Sequence, residues 1–234
     1  MKPNFLLLAS ILMVFSFWMT PVLLAQTAEL SGTITLTASN TTKRLTRGQA
    51  YRNRLAPEKP AEIQSMSGSA YAEVVVSAHP ISFKPKLQPL TKNRTIDQRN
   101  ATFIPRVLPV TQGTIVQFVN NDPFYHNVFS LTPGNQFNIG RRTRGEVVQK
   151  KIGERKIEGL GEVKLFCDIH TQMNAVILSL DTPYFTKPDA NGNYILKDLP
   201  EGRYEVRVYH PDLTPIAERF EIKGSIEKDF SLSR

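Results

Sequence analysis

The 234-residue chain contains one cysteine, Cys167, and one tryptophan, Trp18. A single cysteine excludes an intrachain disulfide. A lone thiol in an oxidising compartment must instead be buried, paired between chains, or bound to a ligand. Histidine is also scarce, with four residues in all. No long stretch has apolar residues repeating every three or four positions, as an amphipathic helix would, so a helical fold is not expected.

The first 25 residues have the pattern of a secretory signal peptide. Lys2 supplies a positive charge, residues 5–19 form a long apolar run, and Ala25 precedes polar residues. We therefore expect an exported, periplasmic protein whose mature chain begins near Gln26 and does not span a membrane. An uncleaved anchor is the alternative, because about 20 apolar residues can also cross a bilayer.

The charge balance is basic, with a formal net charge of +8 that becomes +7 when Lys2 is removed with the leader. A basic exported protein favours acidic partners through long-range steering. Two segments concentrate the positive charge, at 38–70 and at 141–156. A solvated loop explains the first segment better than a nucleic-acid patch does, so no nucleic-acid partner is predicted.

The rest of the chain has the vocabulary of strands and turns. Gly, Pro and Asn interrupt short runs that are rich in Val, Ile, Phe and Thr. We predict an all-β protein with one domain boundary before residue 87 and another after residue 181. This gives N-terminal strands and a basic loop at 26–86, a denser β-domain at 87–181, and a small antiparallel β-module at 182–234.

The C-terminal segment alternates strictly. Tyr204, Val206 and Val208 are predicted to face one way and Glu205 and Arg207 the other, and Asn191–Gly192 is a hairpin signal. The stretch DANGNYILKDLPEGRYEVRVYHP resembles the carboxypeptidase regulatory-like (transthyretin-like) β-sandwich. The first strands of such modules resemble segments 30–37 and 71–78, which implies a discontinuous sandwich with the middle domain inserted. A separate tail is the competing layout.

The stretch LFCDIHTQM (165–173) places Cys167, His170 and Met173 at intervals of three residues, directly after an alternating strand. A second segment, VNNDPFYHNVFS (119–130), presents His126 on a turn between two strands. Strands of one β-sandwich can bring distant segments together. The candidate set is then two imidazoles, one thiolate and one thioether.

This set of side chains favours copper. Two histidines and a cysteine with a weak methionine describe a blue copper site, whereas structural zinc commonly uses several cysteines. Each residue alone also has an ordinary explanation, since a cysteine or methionine is often buried packing and a histidine is often a hydrogen-bonded turn residue. The combination in an exported β-rich chain favours one mononuclear copper site.

FIPRVLPVTQGTIVQFVNNDPFYHNVF followed by LFCDIHTQM resembles the cupredoxins, the type 1 blue copper proteins, over about 85 residues. The short C-x₂-H-x₂-M loop is most similar to that of the amicyanin group, since plastocyanins have a longer gap before the methionine. The resemblance implies a Greek-key β-sandwich. It also implies His126, Cys167, His170 and Met173 as ligands, and hydrogen bonds from Asn127 that tie the two ligand loops together.

One-electron transfer through the exposed edge of His170 is the leading functional hypothesis, with no enzymatic activity. A docking surface for a redox partner, possibly acidic, is predicted from five residues near that edge: Ile169, Thr171, Arg141, Arg142 and Arg144. A copper carrier or sensor is the alternative. Multicopper enzymes need more histidines, and we expect the remaining two, His79 and His210, to be solvated turn residues at strand ends.

Overall fold

The computed structural model describes residues 27–37, 70–92, 94–155 and 161–234. The predicted signal peptide (1–25) and nearly all of the first basic segment lie outside the described residues. Within the described part of the chain, no helix has the length and apolar character needed to span a bilayer.

The described residues form strands and one short 3-10 helix, as the all-β prediction requires. The N-terminal part contributes β1 (Thr27–Thr37), the 3-10 helix (Ala70–Glu73) and β2 (Val75–Pro80). The middle contributes β3 (Thr95–Arg99), β4 (Thr102–Ile104), β5 (Val107–Thr111), β6 (Ile115–Asn120), β7 (His126–Ser130), β8 (Phe137–Arg142), β9 (Val147–Lys151), β10 (Glu162–Phe166) and β11 (Asn174–Leu180). The last part contributes β12 (Phe185–Thr186), β13 (Asn193–Pro200), β14 (Gly202–Tyr209), β15 (Ile216–Ile222), β16 (Ser225–Glu227) and β17 (Phe230–Ser233).

Strands β3 to β11 form the first sandwich. One sheet has the order β4-β3-β6-β9 and the other has the order β5-β11-β10-β7-β8. The chain crosses repeatedly between these sheets, as in Greek-key folds. Side chains from both sheets meet in one core, which includes Phe118, Val128, Leu165 and Ile177. The candidate ligands Cys167 and Met173 belong to the same core.

The N-terminal strands and the tail share a second core. Strand β1 pairs with β13, β16 and β17, and β2 pairs with β12 and β14. Leu30, Val76, Tyr204, Ile222 and Leu232 pack together between the two sheets. Because β1 is antiparallel to β13 but parallel to β16 and β17, this sheet is mixed rather than purely antiparallel. The predicted domain boundaries remain a prediction, and this pairing is what the discontinuous layout would require.

Strands β2 and β11 are each buried on both faces. In β11, Ile177 faces the first core and Leu178 faces a third cluster between the sandwiches. In β2, Val76 faces the second core and Val75 faces that same third cluster. A strand covered on both faces can be apolar at successive positions, in contrast to the alternation of a half-exposed strand. The first sandwich is therefore packed against the second through β11, an interior strand of its five-stranded sheet.

Polar contacts complete the junction between the sandwiches. The guanidinium of Arg106, in the β4–β5 connection, donates to Glu73 Oε2 at 2.6 Å and to Asp212 Oδ2 at 2.7 Å. Lys187 Nζ donates to the backbone oxygens of Ala72 and Val107. Burial lowers the pKa of Lys187 to about 8.

Two local predictions about the second sandwich were wrong. The Asn191–Gly192 turn connects strands β12 and β13, which pair with β2 and β1 respectively, so it is not a two-stranded hairpin. His79 is 8% exposed rather than solvated, because it lies within β2 and its Nδ1 is 2.6 Å from Asp181. His210 is half-buried, and burial is the main cause that lowers its pKa.

Candidate metal centre

The turn before His126 is held by two asparagine side chains. Asn120 is fully buried at the end of β6, and its Nδ2 donates to the backbone oxygens of Phe124 and Arg142, each at 2.8 Å. Its Oδ1 accepts from the Asp122 amide at 2.9 Å. The next residue, Asn121, donates to Asp97 Oδ1 on β3 at 2.6 Å. The backbone that presents His126 is therefore tied to neighbouring strands at several points.

His126 is the first residue of β7 and is fully buried. Its Nε2 lies 2.7 Å from Oδ2 of Asp122, a carboxylate that is itself buried. Burial acts to raise the pKa of the Asp122 carboxyl, but hydrogen bonds from Ala101, His126 and Asn100 lower it below its ordinary value. The carboxylate is therefore ionised, so it accepts a hydrogen bond from Nε2–H and leaves Nδ1 as the free nitrogen.

Cys167 follows the last residue of β10 and is 4% exposed. The alternation of β10 places Val163, Leu165 and Cys167 on the core side. The chain then turns tightly, since the Met173 amide donates to the His170 oxygen at 2.9 Å before β11 begins. This turn returns Met173 to the same core, where it is 2% exposed.

Three ligand atoms converge between these loops. The Nδ1 atoms of His126 and His170 are 3.1 Å apart, and each lies 4.0 Å from Cys167 Sγ. The two loops are more than 40 positions apart in the sequence, so the sandwich itself creates the cluster. The donor set that suits copper consists of two imidazole nitrogens and one thiolate, with a thioether as a weaker ligand. The cluster supplies the first three, and Met173 in the adjoining core carries a thioether.

The cluster is closed on one side and open on the other. His126, Cys167 and Met173 are buried, whereas His170 is only half-buried. The ring of Phe124 packs against both histidines at a steep angle, with centroids 5.1 Å from His126 and 5.3 Å from His170. On the outer side of His170 is a cavity of about 490 Å³ lined by Phe124, Tyr125, Arg141, Ile169 and His170.

The residues predicted for partner docking lie around this opening to different extents. Ile169 is 38% exposed and, with Arg141, lines the cavity. Thr171 and Arg144 are exposed. The Arg142 guanidinium, by contrast, donates to the Ile139 oxygen of its own strand. The basic segment 141–156 runs from the last two residues of the edge strand β8 through the edge strand β9, and Lys156 lies outside the described residues.

Asn127 makes a different contact from the one that the family resemblance implies. Its Nδ2 donates to Asn138 Oδ1 on β8 at 3.1 Å, and its buried Oδ1 has no hydrogen-bond partner. Because β7 pairs directly with β8, this amide ties two neighbouring strands. The expectation that Asn127 hydrogen-bonds the two ligand loops together was wrong in this respect.

A second group of potential ligand atoms, from Glu73, His210 and Asp212, lies at the junction of the sandwiches. Arg106 already neutralises both carboxylates of this group. Its guanidinium takes the place that a cation would need, so the group is an ion-pair cluster and not a second metal centre.

Sequence reasoning missed Asn120, Asp122, Phe124 and Tyr125 as parts of the site. The NNDP stretch was visible only as a turn signal. The signal that the sequence did offer is the aromatic pair Phe124–Tyr125 in the turn directly before His126. In the structure these side chains are 42% and 58% exposed. The partner of a buried carboxylate cannot be read from a turn pattern.

No family model and no curated protein match the chain. Among solved structures, a Cu-containing nitrite reductase (NirK) from Thermus scotoductus SA-01 is 25% identical over 44% of this chain, with a TM-score of 0.32. A purple cupredoxin from Nitrosopumilus maritimus is 19% identical over 37% of this chain and 98% of its own, with a TM-score of 0.30. A reduced Cu(I) form of an amicyanin mutant is 13% identical over 45% of this chain and 98% of its own, with a TM-score of 0.33.

The chain spans only 25% of the nitrite reductase's length.

Proposed function

We propose that the chain is an exported, mononuclear type 1 copper protein that carries one electron at a time. The observation that carries this proposal is the convergence of His126 Nδ1, His170 Nδ1 and Cys167 Sγ, with separations of 3.1 and 4.0 Å. The donor set fits copper better than zinc, because it contains one thiolate and because the fourth candidate, Met173, offers a thioether.

A bound copper ion would supply a Cu(II)/Cu(I) couple. The chain's contribution is a set of ligands whose positions are fixed by other contacts. Asp122 orients the His126 ring, and the His170–Met173 backbone hydrogen bond sets the turn of the second loop. Ligands that are held in this way need little movement when one electron arrives or leaves, and that property is what a carrier needs.

His170 is the proposed route for the electron. It is the most exposed of the four candidate ligands, and exposed apolar side chains surround it: Phe124, Tyr125 and Ile169. An exposed apolar patch with a polar rim is typical of an interaction surface. Arg141 at the rim would favour an acidic partner.

Electron transfer needs no bond making, and we propose that the chain has no enzymatic activity by itself. Its two other histidines are engaged at the second sandwich and its junction with the first. His79 contacts Asp181 and Ser77, and His210 Nδ1 accepts from the Asp212 amide. We place the protein in the periplasm on the strength of residues 1–25.

We also propose that the second sandwich is a single accessory module of the carboxypeptidase regulatory-like type, interrupted by the copper domain. Its support is the pairing of β1 and β2 with the tail strands. Expression of residues 87–181 alone tests this layout. A folded fragment that still binds copper is expected, and an unfolded fragment contradicts it.

The test of the copper site is to add Cu(II) to the purified protein and record its visible absorption and electron paramagnetic resonance. An intense thiolate-to-copper band is expected, and Cys167→Ser should abolish it. His210→Gln is the matched control, because it removes a histidine at the junction of the sandwiches and should keep the band. A colourless protein that binds zinc equally well with and without Met173 would overturn the proposal.

A chelator challenge distinguishes the proposed function, an electron carrier, from the alternative, a copper carrier or sensor. An electron-transfer site should retain copper in the presence of a moderate chelator and cycle reversibly between oxidation states. Rapid loss of copper from both oxidation states would favour the alternative.

A further inference from the structure

The Asp122 side chain is only 5% exposed, and it contacts three hydrogen-bond donors. Oδ1 accepts from the Asn100 amide at 2.7 Å. Oδ2 accepts from the Ala101 amide at 2.9 Å and from His126 Nε2 at 2.7 Å. A buried carboxylate is costly unless hydrogen bonds replace its hydration, and this one has a full set.

The two amides come from a specially shaped turn. Asn100 and Ala101, between β3 and β4, have φ angles of 54° and 50°. Left-handed backbone is unfavourable for alanine, so this turn needs compensation from its surroundings. The Asp122 carboxylate supplies it by accepting both amide hydrogens. The fold thus holds the carboxylate through two backbone amides that are independent of His126.

The consequence for His126 is a fixed ring. Because Oδ2 can only accept, Nε2 must carry the hydrogen, and the lone pair is then on Nδ1. Nδ1 is the nitrogen that lies 3.1 Å from His170 Nδ1 and 4.0 Å from Cys167 Sγ. The carboxylate therefore decides which nitrogen is presented to the ligand cluster.

We infer that Asp122 is a positioning residue that also sets which oxidation state of copper the site prefers. It fixes His126 as an Nδ1 ligand, and its negative charge, transmitted through the imidazole, favours Cu(II) over Cu(I). Carboxylate–histidine pairs raise the basicity of a metal-bound imidazole. Asp122 thus lowers the reduction potential of the centre. This inference rests on the proposed function.

The test compares Asp122→Asn with Asp97→Asn. Asp97 is the matched control because its carboxylate holds the same loop through Asn121 but does not contact His126. In Asp122→Asn we expect the Cu(II) dissociation constant to rise about 10–100-fold, with a much smaller change for Cu(I). Each tenfold increase in the ratio of the Cu(II) dissociation constant to the Cu(I) dissociation constant raises the reduction potential by about 59 mV. Asp97→Asn should leave the ratio unchanged.

Equal weakening of both oxidation states in Asp122→Asn would overturn the inference, since it would show a merely structural role. So would an unchanged potential. Retention of the thiolate-to-copper band with an unchanged potential rejects this inference and leaves the proposed function intact. Absence of the band in the unsubstituted protein rejects the proposed function instead.

A measurement on the unsubstituted protein keeps the inference testable if Asp122→Asn does not fold. Nitrogen-15 nuclear magnetic resonance of metal-free protein at pH 8 reports the tautomer of His126. We expect a hydrogen-bonded proton on Nε2 that exchanges slowly with water. A proton on Nδ1, or a rapidly exchanging ring proton, would overturn the positioning role.

Discussion

The Nδ1 atoms of His126 and His170 lie 3.1 Å apart, although the two residues are separated by 44 positions in the chain. The two rings have different surroundings. His126 is fully buried beneath Phe124, whereas His170 is half-buried beside an open cavity of about 490 Å³. The two imidazoles are therefore chemically alike but differ in their access to small molecules.

This difference predicts that only one histidine can be replaced by a free ligand. In His170→Gly, added imidazole can enter from the cavity, so the thiolate-to-copper band should return as imidazole is titrated. In His126→Gly, the vacated space is enclosed by core side chains and by Asp122, so much less recovery is expected. Visible absorption during the titration is the measurement. Equal recovery in both variants would contradict the burial argument.

Met173 lies in the core of the first sandwich and is 2% exposed, which predicts two separable effects. Met173→Leu conserves volume, so the free energy of unfolding should fall by less than about 1.5 kcal/mol. The charge-transfer band should persist because the thiolate remains, but the reduction potential should change because the thioether is lost. Met173→Ala should cost about 2–5 kcal/mol.

Chemical unfolding followed by circular dichroism gives the stabilities, and voltammetry gives the potentials. If Met173→Leu and the unsubstituted protein have the same potential, Met173 only fills space. The leucine variant is then the control that separates ligation from packing.

The sequence was sufficient to predict the strands that carry the site, because strands depend on local patterns. The four candidate ligands remain a prediction from such patterns, and the structure brings His126, Cys167 and His170 together. The alternation of β10 puts Cys167 on the core side, and the spacing of Cys167, His170 and Met173 follows from one tight turn. The role of Asp122 depends on the turn at Asn100–Ala101, about twenty positions earlier, and no local pattern connects the two.

The burial of His79 was missed for a related reason. The stretch before Pro80 was interpreted as a strand end, yet β2 is covered on both faces by two different clusters. A sequence pattern shows that a strand is apolar, but it does not show which other element covers each face. Contacts between the two sandwiches therefore had to come from the structure.

Arg106 predicts how the junction of the sandwiches responds to substitution. Its guanidinium contacts Glu73 on one side and Asp212 on the other, within a partly buried cluster. Arg106→Gln should lower the free energy of unfolding by about 1.5–3 kcal/mol, the range for hydrogen bonds to charged groups. Arg99→Gln is the control, since its ion pair with Asp97 is exposed and should contribute less than about 1 kcal/mol. Equal losses in the two variants would contradict this assignment.

The same cluster predicts a direction of pH dependence. The hydrogen bond from Arg106, followed by smaller charge effects, holds the pKa of Asp212 below its ordinary 3.8. A carboxyl group whose pKa is lower in the folded protein than in the unfolded chain stabilises the fold at any pH above the unfolded-chain pKa. That contribution is lost as the pH falls through the lower pKa of the folded protein. Unfolding free energies measured from pH 6 down to pH 3 should therefore fall less steeply in Asp212→Asn than in the unsubstituted protein. Parallel curves would show that this carboxylate does not contribute.

Arg141 at the rim of the His170 cavity predicts electrostatic steering of redox reagents. An anionic oxidant such as ferricyanide should react about tenfold faster with the reduced unsubstituted protein than with the reduced Arg141→Glu variant at low salt. The difference should shrink as salt increases, because the Debye length falls from about 30 Å at 0.01 M to about 10 Å at 0.1 M. Arg203→Glu is the matched control, since it makes the same change in net charge at an exposed position of β14 in the second sandwich. Stopped-flow rates that fall equally in both variants would show that only net charge matters, and would argue against electron exchange at His170.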